Sequence, residues 1–191
     1  YRSFYAIRSM NAPDGFPTNA LFGFIKTLEK MRARVKPTHL AVIWDGGLDA
    51  ERTEALGEYK EARDPMPDDL ELQLDAIVEW LGASGLCSWC EDGVEADDVI
   101  ATAAWQAEAE GLPVVIASSD KDFFQLLKPN IRLLNPNDKT GTLWEAEQVI
   151  AKTGVAPVQI IDWLSLVGDA VDGIPGVPGV GPKTAAKLLN E

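Results

Sequence analysis

The sequence predicts an α/β fold in which helices flank a mostly parallel central sheet. Two observations lead to this prediction. Short apolar runs rich in β-branched residues alternate with longer stretches of helical pattern, which is typical of parallel sheets with helical crossovers. After about residue 155 the pattern changes to a helix, a glycine-rich turn and a second helix. We therefore divide the chain into an α/β core, residues 1–155, and a second region, residues 156–191.

The elements follow in order along the chain. Buried strands are predicted at 39–45, 112–120 and 131–135, and helices at 18–35, 68–84, 95–111 and 157–168. The helix at 68–84 begins after Pro67 with acids in its first turn, and the next one ends at Gly111; both are ordinary signals of helix boundaries.

The chain has a formal net charge of −13, which argues against general nucleic-acid binding through a basic surface. The objection weakens if the acids gather at one place and are neutralised there by metal. No apolar run approaches the roughly 20 residues of a membrane span, so no membrane partner is expected. The two cysteines, Cys87 and Cys90, are too few for a secreted disulfide scaffold, so we expect a reducing cytoplasm.

Acidic residues cluster where the predicted strands end and where a helix begins. The candidates are Asp45, Glu95, Asp97, Asp98, Asp120 and Asp122, with Asp169 and Asp172 in the turn before the glycine-rich segment. Because ligands of open α/β sheets bind beyond the carboxyl ends of the strands, these side chains should converge on one rim.

Each of these acids, taken alone, is more simply a helix cap or a turn residue. Taken together, they would repel one another strongly unless cations lay among them. Mg²⁺ and Mn²⁺ favour oxygen ligands, and two such ions about 4 Å apart can activate water and stabilise a leaving oxygen in phosphoryl transfer. The sequence therefore predicts a site for two divalent cations.

A second pattern lies in residues 50–63, "AERTEALGEYKEAR". On a helix, its basic and aromatic residues fall within an arc of about 100°, opposite the glutamates. The residues of this arc are Arg52, Tyr59, Lys60 and Arg63. Such separation is typical of contact with a phosphate backbone and a stacked base. The alternative is a solvated face with ion pairs between successive turns.

A third pattern is the glycine-rich stretch at 173–189. Gly176, Gly179 and Gly181 allow a tight hairpin whose backbone can approach a ligand closely. A helix follows, with anion-attracting N-terminal amides and with Lys183 and Lys187 one turn apart. We interpret this as a helix-hairpin-helix that binds DNA phosphates without reading bases.

The pair Cys87 and Cys90 has the spacing of half a zinc site or of a redox pair. Zinc would need two further ligands, and His39 is the only histidine in the sequence. We therefore prefer a structural role for this stretch.

Several stretches together resemble the 5′–3′ exonuclease domain of bacterial DNA polymerase I, within the flap-endonuclease family. They are "YRSFYA", "AVIWD", "EYKEARDPMPDDL", "VEADDVI", "SSDKDFFQL" and "GDAVDGIPGVPGVGPKTA". The resemblance implies a PIN-like 5′ nuclease core followed by a helix-hairpin-helix. It also implies cleavage of DNA near 5′ ends, flaps and nicks with two divalent cations, and K⁺ at the hairpin. Whether a polymerase domain is on the same chain is left open by the sequence.

The resemblance also assigns roles to residues. Asp45, Glu95 and Asp97 would belong to one metal shell, and Asp120, Asp122 and Asp172 to the other, with Asp98 and Asp169 nearby. Lys60 and Arg63 resemble the basic pair that faces the scissile phosphate, and Arg2 and Lys121 resemble phosphate contacts beside the site. CSWC, by the same resemblance, is an ordinary strand.

The sequence departs from the family pattern in four places. A further metal-binding Asp, which the family carries just before the residues matching Tyr1 and Arg2, is not in this chain, nor is the part beyond the hairpin. Gly173 and Ser119 replace residues common in relatives, which we expect to be tolerated. We expect the first metal shell to be incomplete and cleavage by these residues alone to be impaired.

Two other functions were weighed. A catalytically silent DNA-binding module would be marked by the loss of metal acids, but every family acid within the matched region is present. A small-molecule phosphohydrolase could use Asp120 and Asp122 alone, but it would need neither the glycine hairpin nor the basic segment.

Overall fold

The computed structural model describes residues 2–47, 50–55 and 65–191, with only the backbone described at 50, 51 and 53. In chain order, the elements are α1 (Arg2–Ala6), α2 (Asn19–Val35), β1 (Ala41–Trp44), α3 (Ala50–Ala55), α4 (Asp68–Ala83), β2 (Cys87–Cys90), α5 (Ala96–Ala109), β3 (Val114–Ala117), β4 (Ile131–Leu134), β5 (Leu143–Trp144), α6 (Ala146–Thr153), α7 (Ile160–Val167) and α8 (Pro182–Asn190). Two short 3₁₀ helices, Asp122–Leu126 and Pro157–Gln159, complete them.

Contacts between residues divide the chain into two compact units. The first unit is Tyr1–Trp44 with Asp64–Cys90, and the second unit is Asp45–Arg63 with Glu91–Glu191. This division follows spatial contacts and differs in kind from the boundary at residue 155 that the sequence pattern suggests, which stays a prediction.

The first unit is built on a parallel pair of strands covered by helices. β1 and β2 pair in parallel from Ala41 opposite Cys87 to Trp44 opposite Cys90. Helices α2 and α4 bury Leu28, Ile77 and Leu81 against the half-buried side chains of Val42 and Trp44 on β1. Both cysteines are exposed residues of β2, in agreement with the strand that the resemblance implies.

A buried polar network joins three helices of the first unit. Gln73 on α4 is fully buried, and its Oε1 accepts hydrogen bonds from the backbone N–H groups of Ala20 (2.7 Å) and Leu21 (3.2 Å). Its Nε2 donates to Asn19 Oδ1 at 3.1 Å. Asn19 in turn donates to the carbonyl of Phe4 on α1 at 2.7 Å. Gln73 therefore satisfies the first N–H groups of α2 from another helix, a role usually taken by a local cap.

Replacing Gln73 by Leu should destabilise the protein by about 2–4 kcal/mol. The change leaves two backbone donors and the Asn19 oxygen buried without their partner, and each such loss costs about 1–3 kcal/mol before relaxation. Urea unfolding monitored by circular dichroism measures the change. Gln106, exposed on α5, is the matched control, and its replacement by Leu should cost less than about 0.5 kcal/mol. Equal losses in the two variants would contradict this account.

The second unit contains the other strands and the larger core. β3 and β4 pair in parallel, and β5 pairs antiparallel with β4. Helices α5, α6, α7 and α8 pack a continuous apolar cluster against these strands. Its buried members include Ile116, Phe123, Phe124, Ile131, Leu133, Val149, Ile160, Trp163 and Ala185.

The α/β class is confirmed, but the prediction of one mostly parallel central sheet is correct only in part. The described strands form two small sheets, β1-β2 and β3-β4-β5. β5 is antiparallel because only eight residues, 135–142, connect it to β4, and a parallel neighbour needs a crossover of about a dozen residues or more.

The predicted strands and helices of the core are present, with ends shifted by at most three residues. The sequence reading missed β5 and α6. A signal for α6 exists in Gln148, whose side chain accepts a hydrogen bond from the backbone N–H of Glu145 at 2.8 Å, one half of a capping box. Only 50–55 of the predicted helix 50–63 is described, and it is helical.

Within the described ranges, no single helix is long and apolar enough to cross a membrane. One bent pair, Ala146–Thr153 with Pro157–Val167, meets the length and composition test jointly across a 52° bend. Buried residues of this pair, such as Val149 and Trp163, belong to the core of the second unit.

Candidate functional site

The chain leaving β1 is held against the loop that begins α5. The Gly46 N–H donates to the Val94 carbonyl at 3.0 Å, and the Gly93 N–H donates to the Gly46 carbonyl at 2.9 Å. Asp45 precedes the first of these glycines and Glu95 follows Val94, so the backbone brings the two acids to neighbouring positions. A Cβ on Gly46 would collide with the backbone carbonyl of Glu91, so only glycine allows this close approach.

A tight turn after β3 carries the next two acids. The Asp120 N–H donates to Ser118 Oγ at 3.1 Å, and the Asp122 N–H donates to Asp120 Oδ1 at 3.0 Å. Asp122 then begins a 3₁₀ helix whose Phe123 and Phe124 are buried in the core. The apolar residues therefore anchor the turn, while its carboxylates stay at the carboxyl end of the strand.

The electrostatics of Asp122 show which acids converge. Burial raises the pKa of Asp122, and the negative charges of Asp120, Asp169 and Asp97 raise it further, to about 6, against the opposing charge of Lys121. These neighbours come from the turn after β3, the loop after α7 and the first turn of α5. Carboxylates from three separate parts of the second unit therefore act on Asp122.

Lys121 bridges two of these parts. Its Nζ lies 2.8 Å from Asp169 Oδ2. Partial burial alone would lower the pKa of Lys121, but the hydrogen bond to Asp169 and the charges of Asp122 and Asp120 raise it above its ordinary value. Partial burial would likewise raise the pKa of Asp169, but Lys121 and the N–H of Val171 hold it below its ordinary value. This pair keeps its opposite charges near neutral pH.

The acids that begin α5 face two directions. Arg52 on α3 places Nη1 3.1 Å from Glu95 Oε2 and Nη2 2.9 Å from Asp98 Oδ1. Glu95 is only 3% exposed, so its carboxylate needs a nearby cation. The negative charge of Asp97, by contrast, raises the pKa of Asp122.

The positions of these acids on α5 explain the difference. At about 100° per residue, Asp98 lies roughly one helical turn after Glu95 and on the same side, whereas Asp97 lies on a different side. Arg52 therefore supplies part of the compensating charge that the sequence reading assigned to metal.

The donor chemistry suits hard divalent cations. The acids that approach one another in the second unit are carboxylates, whose oxygens Mg²⁺ and Mn²⁺ accept. In the parts of the chain that are described, no three Asp, Glu, His or Cys side chains stand close enough to hold one ion. Mg²⁺ usually takes only one or two carboxylates and keeps several waters, so no such cage is required. The division of eight carboxylates into two shells stays a prediction.

The glycine-rich connection, residues 168–181, joins α7 to α8. Asp169 and Ile174 exchange both backbone hydrogen bonds at 2.8 Å, and the Val177 N–H donates to the Leu166 carbonyl at 2.8 Å. A Cβ on Gly176 would collide with the backbone of Val167. One on Gly168 would collide with the backbone of Gly176 itself. The two glycines therefore let the connection fold back onto the end of α7.

Helices α7 and α8 are tied to each other by side chains. Trp163 Nε1 donates to the Pro182 carbonyl at 3.1 Å, and Gln159 Nε2 donates to the Leu189 carbonyl at 2.8 Å. Lys183 and Lys187 are exposed on α8, where Lys187 lies 3.5 Å from Glu191. Gly179 and Gly181 have open space around them.

Other predicted site residues fall elsewhere. Arg2 is exposed on α1 in the first unit. Tyr59, Lys60 and Arg63 lie outside the described residues. Asp172 lies in the glycine-rich connection, half-buried, within the turn closed by Asp169 and Ile174.

Comparison with known families decides the identity of the fold. Residues 1–154 match the model of the 5′-3′ exonuclease N-terminal resolvase-like domain, and residues 155–191 match that of the 5′-3′ exonuclease C-terminal SAM fold. The chain belongs to the 5′-3′ exonuclease family.

Sequence relatives agree. This 5′-3′ exonuclease family member is 42% identical over 192 residues to a 5′-3′ exonuclease of Aquifex aeolicus, covering 100% of the chain and 65% of that relative. It is 43% identical over 189 residues to DNA polymerase I of Pseudomonas aeruginosa, covering 99% of the chain and 20% of that relative. The chain therefore spans less than two thirds of either relative.

A solved structure supports the fold. The flap endonuclease of bacteriophage T5, in a pseudo-enzyme-product complex with DNA and metal ions, superposes with a TM-score of 0.72 at 22% identity. The match covers 87% of this family member and 65% of the phage protein. At this identity the likeness concerns the fold.

Two residues of this 5′-3′ exonuclease family member were not singled out from the sequence, although the site geometry needs them. They are Gly46 and Gly168, each required by a close backbone approach. A sequence signal exists for Gly46, because the glycine pair that follows Asp45 directly after an apolar strand marks a sharp turn.

Proposed function

We propose that this chain is the catalytic part of a metal-dependent, structure-specific nuclease that hydrolyses DNA phosphodiesters near 5′ ends, flaps or nicks. The observation that carries the proposal is the convergence of Asp97, Asp120 and Asp169 on Asp122, a half-buried carboxyl whose pKa is raised to about 6, first by burial and then by these negative charges. Family membership supports it, as does the flap endonuclease complex with DNA and metal ions.

The proposed cofactors are two Mg²⁺ or Mn²⁺ ions. Asp120, Asp122 and Asp172 would hold one of them, and Asp45, Glu95 and Asp97 the other, with Asp98 and Asp169 close by. When bound, such ions lower the pKa of water and stabilise charge on phosphoryl oxygens.

The chain's own residues contribute positioning and charge. The turn 118–122 fixes Asp120 relative to Asp122, because the Asp122 N–H donates to Asp120 Oδ1 and the Asp120 N–H donates to Ser118 Oγ. Lys121 keeps its positive charge beside these acids, where it can attract a phosphate oxygen while it holds Asp169 in place. Both effects require no rearrangement when substrate arrives, which favours catalysis.

We propose that DNA is held by phosphate contacts from both ends of the chain. The connection 168–181 with α7 and α8 would act as a helix-hairpin-helix, with K⁺ at the hairpin and Gly176, Gly179 and Gly181 near the backbone of the DNA. Lys183, Lys187 and Arg2 would contact further phosphates. Contacts of this kind bind DNA without reading its sequence.

The direct test is cleavage of a labelled 5′-flap duplex, compared with a blunt duplex and a single strand of the same sequence. We expect cleavage of the flap in Mg²⁺, none in EDTA, and recovery on adding Mn²⁺. If the flap is bound but stays intact in both metals, residues 1–191 alone act as a DNA-binding module.

Replacing Lys60 or Arg63 by Ala should lower single-turnover cleavage by about 100-fold while DNA affinity changes less than about threefold. Both residues are proposed to stabilise charge at the scissile phosphate, where one lost contact costs about 10²–10³ in rate, whereas affinity is shared among many phosphate contacts. Lys139, exposed in the turn before β5, is the matched control, and its replacement by Ala should change neither quantity. Similar losses of rate and affinity would show that the two residues only bind DNA.

A further inference from the structure

Arg52 bridges two acids of a neighbouring helix, although its place in the sequence suggested a DNA contact. Its guanidinium contacts Glu95 Oε2 at 3.1 Å and Asp98 Oδ1 at 2.9 Å. The two acids stand at the start of α5, and the arginine stands on α3. A planar guanidinium with several N–H donors is suited to contact two carboxylates at once, which a lysine cannot do with the same geometry.

Helix α3 has a physical need for such an attachment. Helices in proteins owe most of their stability to tertiary contacts rather than to their own propensity. Glu95 is buried, so the contact of Arg52 with it is less screened by solvent than an ordinary surface ion pair. The contact with Asp98 is half-exposed, so it contributes more to the orientation of Arg52 than to the stability of the attachment.

The segment beyond α3 gives this attachment a consequence. Lys60 and Arg63 follow Arg52 in the sequence by eight and eleven residues, and both are proposed to act at the scissile phosphate. Loss of the attachment of α3 is therefore expected to lower cleavage.

We infer that Arg52 is a positioning residue, which ties α3 to the start of α5 through Glu95 and Asp98. The inference rests on the proposed function for its effect on cleavage, but not for the attachment itself. The inference gives Asp98 the role of holding Arg52. Asp97 has a different role, because its negative charge raises the pKa of Asp122 in the other group of acids.

The test is a double-mutant cycle with Arg52→Gln, Asp98→Asn and the double variant. Arg132→Gln, on β4 in the same unit, is the matched control, and Arg52→Lys is the conservative variant. Amide hydrogen exchange of peptides covering 45–58 is followed in EDTA. Single-turnover cleavage of a saturating 5′-flap duplex in Mg²⁺ and DNA affinity at several salt concentrations are measured in parallel.

We expect exchange of the 45–58 peptides to rise about fivefold or more in Arg52→Gln and by a smaller factor in Asp98→Asn, where the contact with Glu95 survives, with no further rise in the double variant beyond Arg52→Gln. Cleavage should fall about tenfold in Arg52→Gln and less in Asp98→Asn, again without a further loss in the double variant, while DNA affinity stays within about twofold. Arg52→Lys should recover part of both, because one of its two contacts survives, and Arg132→Gln should match the unaltered protein.

Two outcomes would overturn the inference. If Arg52→Gln leaves exchange unchanged and weakens DNA binding with a salt dependence reduced by about one phosphate contact, Arg52 is a DNA ligand. If the effects of the two single changes add, Arg52 and Asp98 act independently. The exchange measurement needs neither metal nor DNA. An unaltered protein that fails to cleave the flap would therefore contradict the proposed function and leave the attachment still tested.

Discussion

Replacing Asp122 by Asn is expected to lower cleavage of a 5′-flap duplex by about 10³-fold or more. Asp122 is a half-buried carboxylate whose pKa is raised by the negative charges of Asp97, Asp120 and Asp169. It therefore lies at the centre of this group of acids. Removing its charge should weaken cation binding and with it the electrostatic stabilisation of the reacting phosphate, where single lost contributors cost about 10²–10³. Calorimetry with Mn²⁺ should show weaker binding in the same variant.

The same change should make the metal-free protein more stable above pH 6. The pKa of Asp122 is raised from 3.8 to about 6, chiefly by burial and by Asp120. Between these two values the folded protein binds more protons than the unfolded chain, so stability falls as the pH rises through this window, and the full deficit is present above it. The shift corresponds to about 3 kcal/mol, which partial exposure reduces to about 1–2 kcal/mol.

Thermal unfolding in EDTA at pH 5 and pH 8 measures this effect. Asp122→Asn should raise the melting temperature at pH 8 by about 2–6 °C and have a smaller effect at pH 5. The matched control is Asp162→Asn, an exposed residue of α7, which should shift neither melting temperature nor cleavage. A variant that is inactive but less stable at pH 8 would mean that Asp122 supports the fold rather than storing repulsion.

Part of the site and part of the sheet could be predicted from the sequence. Acids at the ends of apolar strands and in the first turn of a helix can be recognised by position alone. In the structure, Asp120 and Asp122 follow β3, Asp97 lies in the first turn of α5 and Asp169 follows α7. The charges of the other three acids act on Asp122, and their division into two metal shells stays a prediction. Strand pairing depends on which distant edges meet, and no pattern in the sequence indicated that the described strands form two small sheets.

Charge compensation is a second matter that the sequence could not settle. The crowded acids at 95–98 suggested metal, since only carboxylates are adjacent in the sequence. Arg52 lies more than forty residues earlier, yet its guanidinium pairs with Glu95 and Asp98. A long basic side chain can reach across elements, so the partner of a buried acid is a property of the fold rather than of its neighbours in the chain.

Close approaches between backbone segments are a third feature that the sequence could not settle. Glycines in the sequence indicate that a turn is permitted, but not which of them touches another backbone. Gly179 and Gly181 look as important as Gly176 in the sequence, yet only Gly176 of these three lacks room for a Cβ. Only the three-dimensional structure distinguishes Gly176 from the other two glycines.

Replacing Gly176 by Ala is expected to destabilise the protein by about 2–4 kcal/mol and to weaken DNA binding by at least about tenfold. The added Cβ would collide with the backbone of Val167, at the end of α7, which cannot move aside as a flexible side chain would. The connection must then lift away from α7, and the hydrogen bond from the Val177 N–H to the Leu166 carbonyl is lost. The proposed phosphate-binding hairpin loses its shape as a result.

Two neighbouring glycines separate this collision from the general cost of replacing glycine. Gly181 has open space and an ordinary φ of −89°, so Gly181→Ala should change stability by only a few tenths of a kcal/mol. Gly179 also has open space but a φ of +81°, so Gly179→Ala should cost about 1 kcal/mol from backbone strain alone. Thermal unfolding ranks the three variants by stability, and fluorescence anisotropy with a 5′-flap duplex in EDTA ranks them by DNA affinity.

If Gly181→Ala weakens DNA binding while its stability is unchanged, the backbone at residue 181 itself contacts the phosphates. If Gly176→Ala is as stable as Gly181→Ala, the close approach of the connection to α7 is not required by the fold.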